Sequence, residues 1–156
     1  MALKLARHHA DDAALSDILK LIRESFAYMD GRIDPPSSMH RLTLDTLQTQ
    51  AQTGEIWSLG PPPAACVLFQ QMPDALYIGK LSVAKSARGQ GLARRLIEHA
   101  ALRARSLGLP ELELQSRVEL TENHAAFQAM GFHEVGRTAH DGYAAPTSIT
   151  FRRSVV

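Results

Sequence analysis

The chain has 156 residues, 45% of them hydrophobic, with 17 Lys and Arg against 16 Asp and Glu, a formal net charge of +1. That length and apolar content suit one ordinary domain over residues 1–156, and the near-neutral, dispersed charge gives no footing for nucleic acid or an acidic membrane surface. The single cysteine, Cys66, excludes an intrachain disulfide and a multi-cysteine metal site. No stretch reaches the ~18 apolar residues of a membrane span, and the opening Met1-Ala2-Leu3-Lys4 has no signal-like apolar region, so a cytoplasmic protein is expected.

In chain order, a short strand is expected from Leu3 to His8, then a helix capped by Asp11 or Asp12, with Leu15, Ile18, Leu19, Ile22 and Phe26 at helical spacing. A loop from Met29 to Ser38 follows, because Gly31 and the pair Pro35-Pro36 break the helix. Ser37 or Ser38 then caps a second helix carrying Leu42, Leu44 and Leu47, which Gly54 ends. From Glu55 the period becomes that of strands: Glu55 to Leu59, Ala65 to Gln70 and Leu76 to Val83, an antiparallel meander. A polar turn from Lys85 to Gln90 opens a long amphipathic helix with Leu92, Leu96, Ile97, Ala100 and Ala104 on one face, closed by Gly108 and Pro110. A strand from Glu111 to Val118 completes a strand–helix–strand crossover, so it runs parallel to the strand ending at Val83. A short helix from Thr121 to Met130 and strands from Phe132 to Ala139 and Thr147 to Phe151 finish the chain.

The chemistry concentrates in Leu81-Ser82-Val83 and Arg88-Gly89-Gln90-Gly91-Leu92-Ala93, a strand, turn and helix start. Free N–H groups in a first helical turn and the helix dipole favour an anion there, and glycines let its oxygens approach the backbone. A nucleotide P-loop needs Gly-Lys-Ser/Thr, which Gly91-Leu92-Ala93 does not supply, and a dinucleotide fingerprint needs a glycine where Arg94 stands. Coenzyme A remains as an anion reading, beside a simple tight turn.

These residues resemble the Q/R-x-x-G-x-G/A signature and preceding cofactor strand of the GNAT N-acetyltransferases, and the order of elements agrees. The resemblance implies an α+β fold: a mixed, mostly antiparallel central sheet flanked by helices, with a splayed parallel strand pair that takes acetyl-CoA. It implies that Leu81, Ser82 and Val83 line the pantetheine arm, through backbone hydrogen bonds from Leu81 and Val83. Arg88, Gly89, Gln90, Gly91, Leu92 and Ala93 would cradle the pyrophosphate, with Arg94 or Arg95 reaching an outer phosphate, and the amide of Leu81 or its neighbour would serve the oxyanion. The segment Thr121 to Phe132 resembles the family's second signature, which makes Asn123 a contact to the arm. It departs at Phe127, where many members carry a tyrosine acid, because a phenyl ring has no proton to give.

The implied activity is direct transfer of an acetyl group from acetyl-CoA to a small-molecule amine or peptide, with no nucleic-acid or membrane partner and with a homodimer left open. The implied acceptor loops are Met29 to Ser38 and Thr138 to Thr147. They offer Asp30 or His140 as base and Tyr143 as replacement acid, with Glu113 a further base if it faces the cleft. A sensor that binds acyl-CoA without turning it over is the alternative that Phe127 raises. The histidines show no zinc-like spacing, so no metal is expected.

Overall fold

A computed structural model describes residues 3–156. Its elements are β1 (Lys4–His8), α1 (Leu15–Phe26), α2 (Leu44–Thr53), β2 (Glu55–Gly60), β3 (Ala65–Gln71), β4 (Ala75–Val83), α3 (Leu92–Ser106), β5 (Glu111–Arg117), α4 (Thr121–Ala129), β6 (His133–Thr138) and β7 (Ser148–Ser154), with 3-10 turns at Ala27–Met29, Ser38–Arg41 and Lys85–Ala87. The strands form one seven-stranded sheet in the order β1-β2-β3-β4-β5-β7-β6. Every neighbouring pair is antiparallel except β4 and β5. This is the mixed architecture expected from the sequence.

Alternation along the strands sends side chains to two cores. Leu59, Val67, Phe69, Leu76, Ile78, Leu112 and Leu114 pack with Leu96, Ile97 and Ala100 of α3, while Ile56, Cys66 and Leu68 meet Leu15, Ile18, Ile22 and Leu47 of α1 and α2. The central strands are therefore covered on both faces. Leu15, Ile18 and Ile22 are at most 1% exposed, and each such burial contributes about 1.5–3 kcal/mol. Helical spacing in α1 thus becomes the force that clamps it to the sheet.

Two helix starts differ from expectation. Asp12 does not cap α1: its Oδ1 accepts from the Ala14 amide at 2.8 Å, its Oδ2 meets His8 Nδ1 at 2.7 Å, and α1 begins after Ala14 with no side-chain cap. The buried His8 takes the carboxylate, since its other nitrogen is held by Ser58 Oγ at 2.6 Å. Ser37 caps only the 3-10 turn Ser38–Arg41, Leu42 returns to an extended conformation, and Thr43 caps α2 by accepting from the Thr46 amide at 3.2 Å.

Two irregularities shape the middle of the sheet. Between Cys66↔Ser82 and Leu68↔Gly79, Lys80 and Leu81 oppose the single residue Val67, and Lys80 adopts φ 53°. A left-handed lysine costs about 1–2 kcal/mol, so this bulge is held by its surroundings. The parallel pairing of β4 with β5 covers only Ala75↔Glu111, Leu76↔Leu112 and Tyr77↔Glu113. Beyond Tyr77 the two strands part.

Candidate functional site

The site begins where β4 leaves the sheet. After the 3-10 turn Lys85–Ala87 and an extended Arg88, Gly89 and Gly91 take φ 79° and 75°, and Gly91 is the N-cap of α3. That cap has no side-chain acceptor, and the first turn of α3 holds no acidic residue. The turn's N–H groups and the positive end of the helix dipole are thus left for an outside anion. A Cβ built on either glycine meets nothing within 4 Å. The glycines therefore serve the backbone angle and leave open space, with no crowding from the protein itself.

From this turn a cleft of about 1450 Å³ runs into the gap between the parting strands. Ile78, Gly79, Leu81 and Val83 of β4 form one wall, Leu114 and Ser116 of β5 a second, and Ala126 and Phe127 of α4 with Met130 at its C-cap a third. Arg88 and Ala93 stand at the mouth, whereas Leu92 is buried in the core and Gly89, Gln90 and Gly91 are exposed outside the lining. Arg94 is also exposed, and Arg95 turns away from the turn to donate through both Nη atoms to the Leu3 carbonyl at 3.3 Å. Arg95 is therefore not placed for the outer phosphate that the resemblance gives it.

Ser82 alternates to the far side of β4, where its hydroxyl donates to the Lys80 carbonyl at 2.9 Å. Only its backbone can serve the cleft. Cys66 beside it is fully buried, and burial pushes its thiol up to about 12. That excludes a thiolate nucleophile at neutral pH. Phe127 lines the cleft with its ring 6.2 Å from both Phe132 and Phe151. One turn earlier on the same helix face, Asn123 donates through Nδ2 to the Tyr28 hydroxyl at 3.1 Å.

The opposite wall is built from loops joined to α4 and β5 by side chains. Arg32 pairs with Glu122 at 2.7 Å, and the Asp34 amide donates to Glu119 Oε2 at 3.1 Å. Arg117 donates to the carbonyls of Pro35 and Pro36 at 2.7 and 3.0 Å. Tyr143 donates to Asp34 Oδ1 at 2.5 Å, and this bond to a carboxylate raises the phenol above its ordinary pKa. His140 also lines the cleft, its Nδ1 against the Thr147 hydroxyl.

Of the proposed catalytic groups, His140 and Tyr143 come together on this wall, but Asp30 does not. Asp30 pairs with His40 Nε2 at 2.7 Å and is not among the residues lining the main cleft. Glu113 is buried, bound to Arg152 Nε at 2.9 Å, and likewise lines no part of the cleft. Tyr28, Tyr77, Lys80, Arg41 and Arg117 also line the cleft and were not singled out from the sequence. Nothing local marks them, since their placement depends on partners as far away as Asn123 for Tyr28 and Pro35 for Arg117. Among the described residues no group of His, Cys, Asp or Glu is gathered as metal ligands, and no helix is long and apolar enough to cross a membrane.

Residues 16–132 match the family model described as Acetyltransferase (GNAT) family. No curated protein matches the sequence at a significant level. Among solved structures, an acetyltransferase from Streptococcus agalactiae superposes with a TM-score of 0.76 at 15% identity, covering 99% of each chain. A GNAT family acetyltransferase from Elizabethkingia anophelis with acetyl-CoA bound gives 0.69 at 14% identity over 98% of each chain. The ribosomal-protein-S18-alanine N-acetyltransferase of Escherichia coli gives 0.70 at 17% identity, covering 97% of this chain and 94% of that one. At these identities the superpositions speak for the fold.

Proposed function

Because the chain belongs to the GNAT acetyltransferase family, we propose that it moves an acetyl group from acetyl-CoA directly to the amine of a small molecule or peptide. The observation that carries this reading is one cleft that runs from Arg88 and Ala93, on either side of a glycine turn with no side-chain cap, to the gap between β4 and β5. The two ends suit the two halves of coenzyme A. Open space over Gly89 and Gly91 with no acidic residue in the first turn of α3 fits a pyrophosphate. The stretch of β4 past Tyr77, unpaired on its β5 side, offers backbone groups to an amide-bearing arm. The Elizabethkingia neighbour, described with acetyl-CoA bound, lends further support.

When bound, acetyl-CoA supplies an activated thioester acetyl. Arg88, Gly89, Gly91 and the first turn of α3 hold its phosphates. Leu81 and Val83 present backbone to the arm, and Phe127 with Met130 keeps water from the thioester end. An ammonium must lose a proton before its nitrogen attacks. His140, whose Nδ1 is occupied by Thr147, takes that proton at Nε2. The departing sulfur needs an acid that Phe127 cannot be; Tyr143, on the opposite wall, gives its phenolic proton once its hydroxyl leaves Asp34 Oδ1, and is restored by the proton that the attacking nitrogen sheds as the amide forms.

The test is direct. At a hundredfold excess over its dissociation constant, acetyl-CoA stabilises the folded chain by about 2.7 kcal/mol, which raises the melting midpoint by roughly 5–11 °C. A panel of amines should then consume acetyl-CoA. Absence of both a thermal shift and calorimetric heat at millimolar acetyl-CoA rejects the reading, whereas binding without turnover on any amine identifies a sensor.

A further inference from the structure

The cations of the cleft are not treated alike. Arg32 has Glu122 as its partner, and outside the cleft Arg103, Arg137, Arg152 and Arg153 all pair with carboxylates. Lys80, Arg41 and Arg117 also line the cleft, yet among the described residues none of them has a carboxylate within ion-pair distance. Lys80 is half-buried, with Nζ donating to Ser38 Oγ at 2.6 Å and lying 5.6 Å from the centre of the Phe26 ring. An ammonium has three protons to donate, and Ser38 takes one. Burial, then the charges of Arg117 and Arg41, pull the Lys80 pKa down. Glu119 and Asp34 offset part of the Arg117 charge, but the charges acting on Lys80 are those of Arg117 and Arg41, and a partly desolvated ammonium beside two guanidiniums calls for an anion. The backbone agrees: the left-handed position of the bulge, which glycine would fill without strain, is occupied by this lysine.

We propose that the amine acceptor also carries a carboxylate, received by a subsite of Lys80, Arg41 and Arg117. The amine end of this molecule rests on the acetyl-transfer reading, and the anionic end does not. Lys80 directly precedes Leu81, so the subsite adjoins the part of β4 that presents the acetyl group. Phe26, Met29, Ile33 and Pro35 line the same cleft and suit an apolar stem. The chemical class is therefore a small amino carboxylate with an apolar side chain. A phosphate could meet the same cations, which the assay separates.

Acetyl transfer is compared for phenylalanine and leucine, for phenethylamine and isoamylamine that lack the carboxylate, for phosphoethanolamine, and for spermidine. The expected result is kcat/KM at least about tenfold higher for the amino acids than for their decarboxylated partners. Lys80→Met and Arg41→Gln should each raise the amino-acid KM about tenfold while changing the acetyl-CoA Kd less than about threefold; Lys20→Met, remote and exposed, is the charge control. The Arg41 side chain makes no hydrogen bond or ion pair among the described residues, so its replacement tests the idea even where Lys80→Met disturbs the bulge. Calorimetric binding of N-acetylphenylalanine gives a readout without turnover, and it should weaken in both variants. Preference for spermidine, for the decarboxylated amines or for phosphoethanolamine overturns the proposal, as does N-acetylphenylalanine binding that is absent from the wild type or unchanged in both variants. Loss of acetyl-CoA binding with carboxylate binding intact would instead refute the transfer reading and leave the subsite standing.

Discussion

The glycine turn and the wall facing it are made in opposite ways. The turn uses backbone from one continuous run, Leu81 to Ala93, and its working positions are Gly89 and Gly91 at positive φ with empty space above them. The facing wall uses side chains from α1, the α1–α2 loop, β5, α4 and the β6–β7 loop, with partners up to 109 residues apart in sequence, as Tyr143 and Asp34 are. A backbone site depends on the left-handed angles that its glycines adopt and little on neighbouring side chains, whereas a side-chain site can be rewritten one residue at a time. The first is suited to a ligand that does not change, the second to one that differs between related proteins.

The strongest way to break this contrast is Gly91→Asp. A carboxylate at the helix start repels phosphate, so the acetyl-CoA Kd should rise a hundredfold or more by calorimetry. The left-handed angle costs about 1–2 kcal/mol in a non-glycine residue, so melting should fall only about 2–8 °C. Near-native affinity would place the phosphate site elsewhere.

Next in size is Tyr143→Phe, expected to lower kcat about a hundredfold, the lower range for a positioned acid, with acetyl-CoA affinity unchanged. Tyr28→Phe is its comparison: should Tyr28→Phe show the larger loss, the proton comes from the 3-10 turn that follows α1. Since the bond to Asp34 raises the Tyr143 pKa, this phenol stays protonated up to its ordinary value near 10. The kcat profile should therefore show no alkaline limb from Tyr143 below that pH.

A smaller change sharpens the division of the cleft. The Arg32–Glu122 pair is exposed, 42% and 50% for the two side chains, and such pairs are worth about 0–1 kcal/mol. Arg32→Ala should raise the amine KM about threefold and leave acetyl-CoA affinity alone; equal loss on both sides would merge the two regions. Least affected should be Glu113→Gln, since Glu113 is bound to Arg152 away from the cleft. Activity should stay within about twofold, while the weakened bond costs about 1 kcal/mol, or roughly 2–4 °C in melting. A large loss of kcat would restore Glu113 as a base.

The same contrast explains what could be read from sequence. Strand boundaries and the parallel crossover were legible because period and punctuation are local, from Glu55 through Gly60-Pro61-Pro62-Pro63 to Gly108-Leu109-Pro110. Helix caps were less so: Ser37 and Thr43 are both good cap residues, and only the return of Leu42 to an extended conformation shows that Ser37 serves a 3-10 turn and Thr43 serves α2. At the site, the glycine turn stood out as a motif. Lys80 did not, because a left-handed lysine follows from a mismatch of register with Val67, and one strand's sequence does not disclose its register with another. Asp30 and Asp34 look equivalent in a polar loop, yet Asp30 folds back on His40 and Asp34 reaches Tyr143.

The three-residue seam between β4 and β5 divides the sheet mechanically. On one side lie β1 to β4, on the other β5, β7 and β6, and past Tyr77 no strand pairing bridges them. What spans the gap is α3, whose Leu96, Ile97 and Ala100 share a core with Leu76 and Leu112. The helix packs across both halves of the sheet while the strand edges beside the opening keep unpaired backbone groups. Amide hydrogen exchange along 78–83 and 114–116 should therefore slow when a strand-like guest occupies the opening and pairs with those edges.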